Sequence, residues 1–347
     1  MRNNLFLDLM EGHAAVSLAG MCKNAGKTTV LNRLLRELGD AEVLVGLTSI
    51  GRDGETVDVA TGTKKPRIYI REGTLFATSS ELLKNCDVTG EILETTGMYT
   101  PLGQVVALRA KSDGYIDLAG PSMNRQLAEL SQWFLSQGAK KSLIDGAISR
   151  KSLCTRQVAD AVLLCTGASY HRNINTVIED TAFISRLLQL KRTLGELGVQ
   201  RVRTFRESRK QDEKLLFLDQ EGNSSLAEPG QKLIDALRET KNQEYPFLWL
   251  EGALTDAMLK PLLFSNVSCK GKSFVVEDSS KLLLSQDTYE KLSRKGIEIT
   301  VLEEIALLAI TVNPFSAYGN HFEKQEFLER MQQAVSLPVF DALEGME

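Results

Sequence analysis

The sequence predicts an α/β protein, a mainly parallel sheet flanked by helices and followed by a C-terminal α/β domain. Three observations predict it. Short apolar runs alternate with amphipathic segments along the 347 residues, the pattern of strands alternating with helices. The first apolar run closes in a glycine-rich loop that opens a helical pattern. A charge-dense stretch, Arg201–Lys214, then divides the chain. It reads as solvated surface, and it sets the expected organisation: a nucleotide-binding domain over 1–200, a charged connecting segment over 201–245, and the C-terminal α/β domain over 246–347.

The elements follow in order. Ala14–Ala19 is an apolar strand ending at Gly20. Thr28–Leu38 carries apolar residues at helical spacing, and Val43–Leu47 reads as the next strand. Arg67–Ile70, Gln104–Leu108 and Leu143–Ile144 are further strand candidates. Before the last of these, Asn124–Gln137 places Leu127, Leu130 and Phe134 on one helical face, with Ser122-Met123-Asn124 as its cap region. Ala161–Cys165 is a strand, and Asn173–Leu197 reads as one long helix. The remaining strands are Leu215–Leu218, Phe247–Leu250, Phe274–Val276, Ile297–Leu302, Leu307–Val312 and Val339–Asp341. The remaining helices are Gly230–Thr240, Asp256–Phe264, Gln286–Lys295 and Lys324–Ala334.

The loop after the first strand reads Gly20-Met-Cys-Lys-Asn-Ala-Gly-Lys-Thr-Thr29. Strand, glycine-rich loop, Gly-Lys-Thr and helix are the context that a phosphate-binding P-loop needs. Backbone N–H groups of such a loop and the helix N-terminus converge on one spot, and both favour an anion there. Five residues separate Gly20 from Gly26, one more than the usual pattern. A glycine-rich turn of an ordinary α/β domain is the plainer account, but it does not require lysine and threonine at the helix start. The expected binding set is Gly20, Asn24, Ala25, Gly26, Lys27, Thr28 and Thr29. Lys27 would meet the β- and γ-phosphates and Thr28 would hold Mg²⁺. The first domain is thus expected to be a P-loop NTPase domain with ATP and Mg²⁺ as cofactors. No Asn-Lys-x-Asp tetrapeptide is present to read guanine.

Such a site needs a carboxylate for Mg²⁺ or for positioning water. Three strand ends offer one. Gly46–Glu55 carries Asp53 and Glu55 between glycines, as a sensor or a group that positions water. Tyr115–Ser122 carries Asp117, and Ser142–Ala147 carries Asp145 before Gly146. Each is also a plain turn-forming residue beside glycine. Ala159–Ala168 ends in Thr166-Gly167 at the same expected sheet edge, near a base or a second ligand, or as a simple βα turn.

Composition excludes several classes. The net charge is −4, against broad nucleic-acid binding. Five unclustered cysteines predict reduced thiols in the cytoplasm, with no zinc site or disulfide frame. Cys22 lies inside the loop, as a small filler or an oxidation-sensitive thiol. The histidines, His13, His171 and His321, are too scattered for a metal site. Asp8 and Glu11 interrupt the N-terminal apolar stretch, so no signal peptide is expected. No run approaches the ~20 apolar residues of a membrane span.

The Gly20-x₅-Gly26-Lys27-Thr28 loop and Asp145-Gly146-Ala147 resemble those of dethiobiotin synthetase and the cobyrinate amide synthetases, over about the first 170 residues. In those proteins the strand-end carboxylate binds Mg²⁺. Thr48-Ser49 stand where the dethiobiotin enzyme has a lysine after its second strand. The whole chain resembles the smaller subunit of the lysine 5,6-aminomutase/ornithine aminomutase reactivase, through Gly46–Glu55, Asp145–Arg150, Ala159–Ala168 and Thr311–Gly319. That resemblance extends to a Phe-x₄-Phe-Leu helix and the Pro338–Asp341 end. It implies a factor of amino-acid fermentation that spends ATP to release damaged cobalamin from an adenosylcobalamin- and pyridoxal-phosphate-dependent aminomutase. It also implies a larger reactivase subunit as partner. The alternatives are an ATP-dependent ligase of the dethiobiotin or cobyrinate type, and a GTP-dependent metallochaperone, for which a base-reading motif and a Cys/His cluster are missing.

Overall fold

The computed structural model describes residues 5–51, 67–147, 155–239 and 244–343. Its strands are β1 (Ala15–Gly20), β2 (Val45–Ser49), β3 (Ile68–Ile70), β4 (Leu75–Ser79), β5 (Gly90–Thr100), β6 (Gly103–Ala110), β7 (Gly114–Ile116), β8 (Lys141–Ala147), β9 (Ala161–Gly167), β10 (Leu215–Leu218), β11 (Ser224–Leu226), β12 (Phe247–Leu250), β13 (Leu254–Thr255), β14 (Lys272–Val276), β15 (Leu282–Leu283), β16 (Ile297–Val301), β17 (Ala306–Asn313) and β18 (Val339–Asp341). Its helices are α1 (Leu5–Leu9), α2 (Lys27–Asp40), α3 (Asn124–Ser136), α4 (Ile174–Leu188), α5 (Glu196–Ser208), α6 (Leu233–Glu239), α7 (Asp256–Leu263), α8 (Gln286–Arg294) and α9 (Lys324–Ala334). No helix among the described residues is long and apolar enough to cross a membrane.

The protein is α/β with a large, mainly parallel sheet, ordered β18-β17-β9-β1-β8-β2-β4-β6-β5. Pairing is parallel from β18 through β4. β6 and β5 then continue it antiparallel. β1 lies centrally and is buried along its whole length, as a strand covered on both faces must be. On one face Val16, Leu18, Leu143 and Leu163 pack against Val30, Leu31, Leu34 and Leu38 of α2. On the other, Ile144 packs with Leu127 of α3, and Leu75 and Ala77 with its Leu130 and Phe134. The helical face expected at Leu127, Leu130 and Phe134 is therefore core. Met123 stands at the cap position of α3 and no side chain caps it.

The chain divides elsewhere than the charge pattern suggests. Arg186–Glu304 form one compact unit, and residues from Ile305 onward belong with those up to Ser185. The reason is strand pairing: β17 lies beside β9, and β18 beside β17, so the chain returns to its first sheet. The described part of the stretch expected to connect two domains carries helices and strands. Arg201–Ser208 belong to α5, whose Val199, Val202 and Phe205 are buried, and Leu215–Leu218 form a fully buried strand. The long helix expected over Asn173–Leu197 ends at Leu188. There the backbone is diverted: the Lys191 carbonyl accepts from the Val301 N–H at 3.3 Å, and the Arg192 N–H donates to Glu304 Oε1 at 2.9 Å.

The inserted unit has its own sheet, ordered β11-β10-β12-β14-β16, with β12, β14 and β16 parallel. Its carboxyl edge is spanned by ion pairs. Arg203 pairs with Glu303 beyond β16, Arg206 with Glu277 after β14 and Glu251 after β12, and Arg209 with Glu251. Arg203 and Arg206 of α5, with Arg209 just past its end, thus meet the ends of three neighbouring strands.

Candidate functional site

The site begins where β1 ends. Met21 N–H donates to the Cys165 carbonyl at 2.8 Å, which extends the strand by one bond before the chain turns. Asn24 and Gly26 adopt the left-handed conformation, at φ 60° and 88°. Glycine is the residue that takes this without a Cβ penalty, which explains Gly26. Gly26 also occupies the cap position of α2 and supplies no side chain to it. The first amides of a 14-residue helix therefore face the loop, where the helix dipole favours negative charge.

Lys27 opens the helix and folds back over the loop. Its Nζ lies 3.5 Å from the Cys22 carbonyl. Its stem covers Gly20 so closely that a Cβ there would sit 2.8 Å from Cδ and 2.9 Å from Cγ. Thr28 and Thr29 are half-buried in the first turn, and Ala25 is buried under the loop. Beyond them the apolar face of α2 anchors the loop in the core.

Asp145 stands on β8 in register with Leu18 of β1 and Ser49 of β2. Alternate strand residues share a face, so Asp145 follows Leu143 onto the α2 side of the sheet. The Cys165 thiol reports the same neighbourhood. Burial pushes its pKa up to about 11, a hydrogen bond with Thr311 and the charge of Lys27 oppose this, and the charge of Asp145 adds to it. The charges of Lys27 and Asp145 both act on this one buried thiol. Burial likewise pushes Cys22 up to about 11, against the pull of Lys27.

The other proposed carboxylates stand elsewhere. Asp117 follows β7; its carbonyl accepts from Thr78 Oγ1 at 2.9 Å, and its charge acts on Cys86. Asp53 and Glu55 lie outside the described residues. At the end of β2, Thr48 Oγ1 donates to the Ala77 carbonyl at 3.2 Å, and Ser49 Oγ accepts from the Gly120 N–H at 3.3 Å. Among the described residues no group of three or more His, Cys, Asp or Glu is placed to hold a metal ion. Oxygen donors of the kind Mg²⁺ takes stand at the start of α2, on Thr28, and on β8, on Asp145.

Two strand ends complete this edge. Thr166, at the end of β9, accepts from Thr181 Oγ1 of α4 at 3.0 Å, and both are buried. Asn313, at the end of β17, was not singled out by sequence as a site residue. Its Cβ lies 3.2 Å from where a Cβ on Gly26 would stand. Its carbonyl accepts from the Ala168 N–H at 2.9 Å. The signal was present, an Asn-Pro pair closing an apolar strand, but nothing local says that this strand returns to β9.

No family model matches the chain, and no curated protein or solved structure matches it either.

Proposed function

We propose that the chain is a Mg²⁺-dependent ATPase of the P-loop class whose nucleotide state is read by a protein partner. One observation carries this reading. A glycine-shaped loop, a helix N-terminus without a capping side chain, Lys27 and Asp145 converge at the carboxyl edge of a central parallel strand. Ligands of open α/β sheets sit at such an edge. The two glycines serve the loop's own shape: Gly26 takes a positive φ, and Gly20 makes room for the Lys27 stem. Lys27 would hold the β- and γ-phosphates, and Thr28 and Asp145 the metal. Bound Mg²⁺ neutralises phosphate charge and polarises the terminal phosphoryl group.

The reaction class follows from resemblance. We assign the chain to reactivation of an adenosylcobalamin- and pyridoxal-phosphate-dependent aminomutase, acting with a larger subunit and exchanging damaged cobalamin. Three of the four segments that carry the resemblance meet at one sheet edge, at Asp145, at Thr166-Gly167 and at Asn313. They lie far apart in sequence, so their meeting supports treating them as one site. A ligase draws less support, because Thr48 and Ser49 are buried and bonded within the protein.

The test has two steps. Calorimetry should find that Lys27→Ala weakens Mg·ATP by about 2 kcal/mol, the worth of a charge-assisted bond. Unchanged affinity in a folded variant removes the phosphate assignment. An aminomutase inactivated by turnover should then recover only with this chain, its companion, ATP, Mg²⁺ and fresh adenosylcobalamin. Recovery without this chain refutes reactivation, and a small-molecule ligation product formed by this chain alone establishes the ligase.

A further inference from the structure

Residues 313–322 fold into a tight turn held at many points. Asn313 Oδ1 accepts from the Phe315 N–H at 3.1 Å, Ser316 N–H donates to the Asn320 carbonyl at 3.0 Å, and Phe322 N–H to the Pro314 carbonyl at 2.9 Å. Phe315 and His321 form a β-bridge across it. The turn is also fastened to the loop after β9. Asn320 Nδ2 donates to the Ala168 carbonyl at 2.9 Å, and the Ala317 N–H to Ser169 Oγ at 3.3 Å.

This rigid turn carries two large aromatic side chains outward. Phe315 is 56% exposed and Tyr318 51%. Hydrogen-bonding a backbone into place while leaving two rings wet costs free energy, since each ring forgoes burial. The turn begins at Asn313, which is in van der Waals range of the Gly26 position. It therefore starts beside the phosphate loop.

The sheet order gives direction. Asp145 is on β8, on one side of β1, and the turn is on β9 and β17, on the other. A triphosphate seated on the loop with its metal-bearing end toward Asp145 has its nucleoside end directed away from β8, and the turn lies on that side of β1. We propose that Phe315 and Tyr318 form the face against which the base of that nucleotide stacks. The proposal rests on the phosphate reading above. Stacking tolerates any base, because every base presents a π-face, so this face supplies affinity and leaves base identity to other groups.

The probes are ATP and inorganic tripolyphosphate, each with Mg²⁺, measured by titration calorimetry. The wild-type chain is expected to bind ATP more tightly than tripolyphosphate. Phe315→Ala/Tyr318→Ala should weaken ATP by about tenfold, in the range of base–aromatic stacking, and leave tripolyphosphate unchanged. The unchanged tripolyphosphate affinity is also the control for folding. Phe315→Tyr/Tyr318→Phe should retain ATP affinity. The proposal is overturned if ATP affinity survives the double alanine change, or if both ligands weaken equally, which would mean that the turn supports the loop alone. If neither ligand binds the wild-type chain, the phosphate reading fails and takes the base face with it.

Discussion

The aliphatic stem of Lys27 lies across Gly20, seven residues earlier in the chain, with Cδ 2.8 Å from where a Cβ would be built. The two residues close the loop on itself. The glycine at the strand end makes room for the lysine at the helix start, so the spacing between them is a packing requirement.

Gly20→Ala should displace the Lys27 stem without disturbing the buried strand that precedes it. The clashing atoms include Cγ and Cδ, close to the backbone, so the side chain cannot simply swing its tip aside. Mg·ATP affinity should fall about tenfold, near 1.4 kcal/mol, in a protein whose far-ultraviolet dichroism is unchanged. Full affinity in Gly20→Ala would show that the position of Lys27 over Gly20 is irrelevant to binding.

Asp145→Asn keeps shape and removes charge at a half-buried strand position. Hydrolysis should drop by orders of magnitude, as for loss of a group that touches the reacting centre, with stability within about 1 kcal/mol of wild type. Turnover and thermal unfolding, measured side by side, distinguish this from a structural role. Retained turnover would transfer the metal to Asp117 or Asp53.

The thiols nearest the loop should be inert. With Cys22 and Cys165 pushed up to about 11 by burial, only about one thiol in a thousand is ionised at pH 8, and the thiolate is the reactive form. Iodoacetamide at pH 8, followed by mass spectrometry, should leave both unlabelled in the folded protein and label both after denaturation. Fast labelling of Cys22 in the folded protein would restore its reading as an oxidation-sensitive residue.

Lys272 is 2% exposed; its Nζ donates to the Tyr245 carbonyl and stands 5.7 Å from the Phe217 ring centroid. Burial holds its pKa below the ordinary 10.5, partly offset by Cys269. Between the lowered value and 10.5 the unfolded chain binds more protons than the folded one, so this residue makes stability rise with pH in that window. Below the window the full cost of a buried charge is present. Lys272→Met should therefore be at least as stable as wild type at pH 7, and its advantage should shrink by pH 10. Urea unfolding at the two pH values measures it. An advantage that grows with pH contradicts the assignment.

The loop and its helix were legible because their chemistry is local. Gly26 needs its positive φ, Lys27 and Thr28 follow it, and the apolar spacing of α2 anchors them. Asp145 was legible only as one of several strand-end carboxylates. Its register with Leu18 joins residues far apart in sequence, and no local pattern records that. β5 was missed because most of its residues are exposed, so no apolar period marks it. The break between α4 and α5 was missed because its cause, the bond from Val301 to the Lys191 carbonyl, lies across the inserted unit. Asn313 was hidden for the same reason, since its neighbour β9 precedes the insertion.

That insertion has a kinetic meaning. β17 cannot pair with β9 until everything between them has been brought to a close, and the entropy of closing a loop grows with its length. The inserted unit clasps its own two ends, through Val301 to Lys191 and through Glu304 to Lys191 and Arg192. Once folded, it presents the rest of the chain with a short effective tether. With its ends clasped, the folded insertion shortens the loop that must close for β17 to reach β9, and that same pairing is what carries Asn313, at the end of β17, to the side of Gly26.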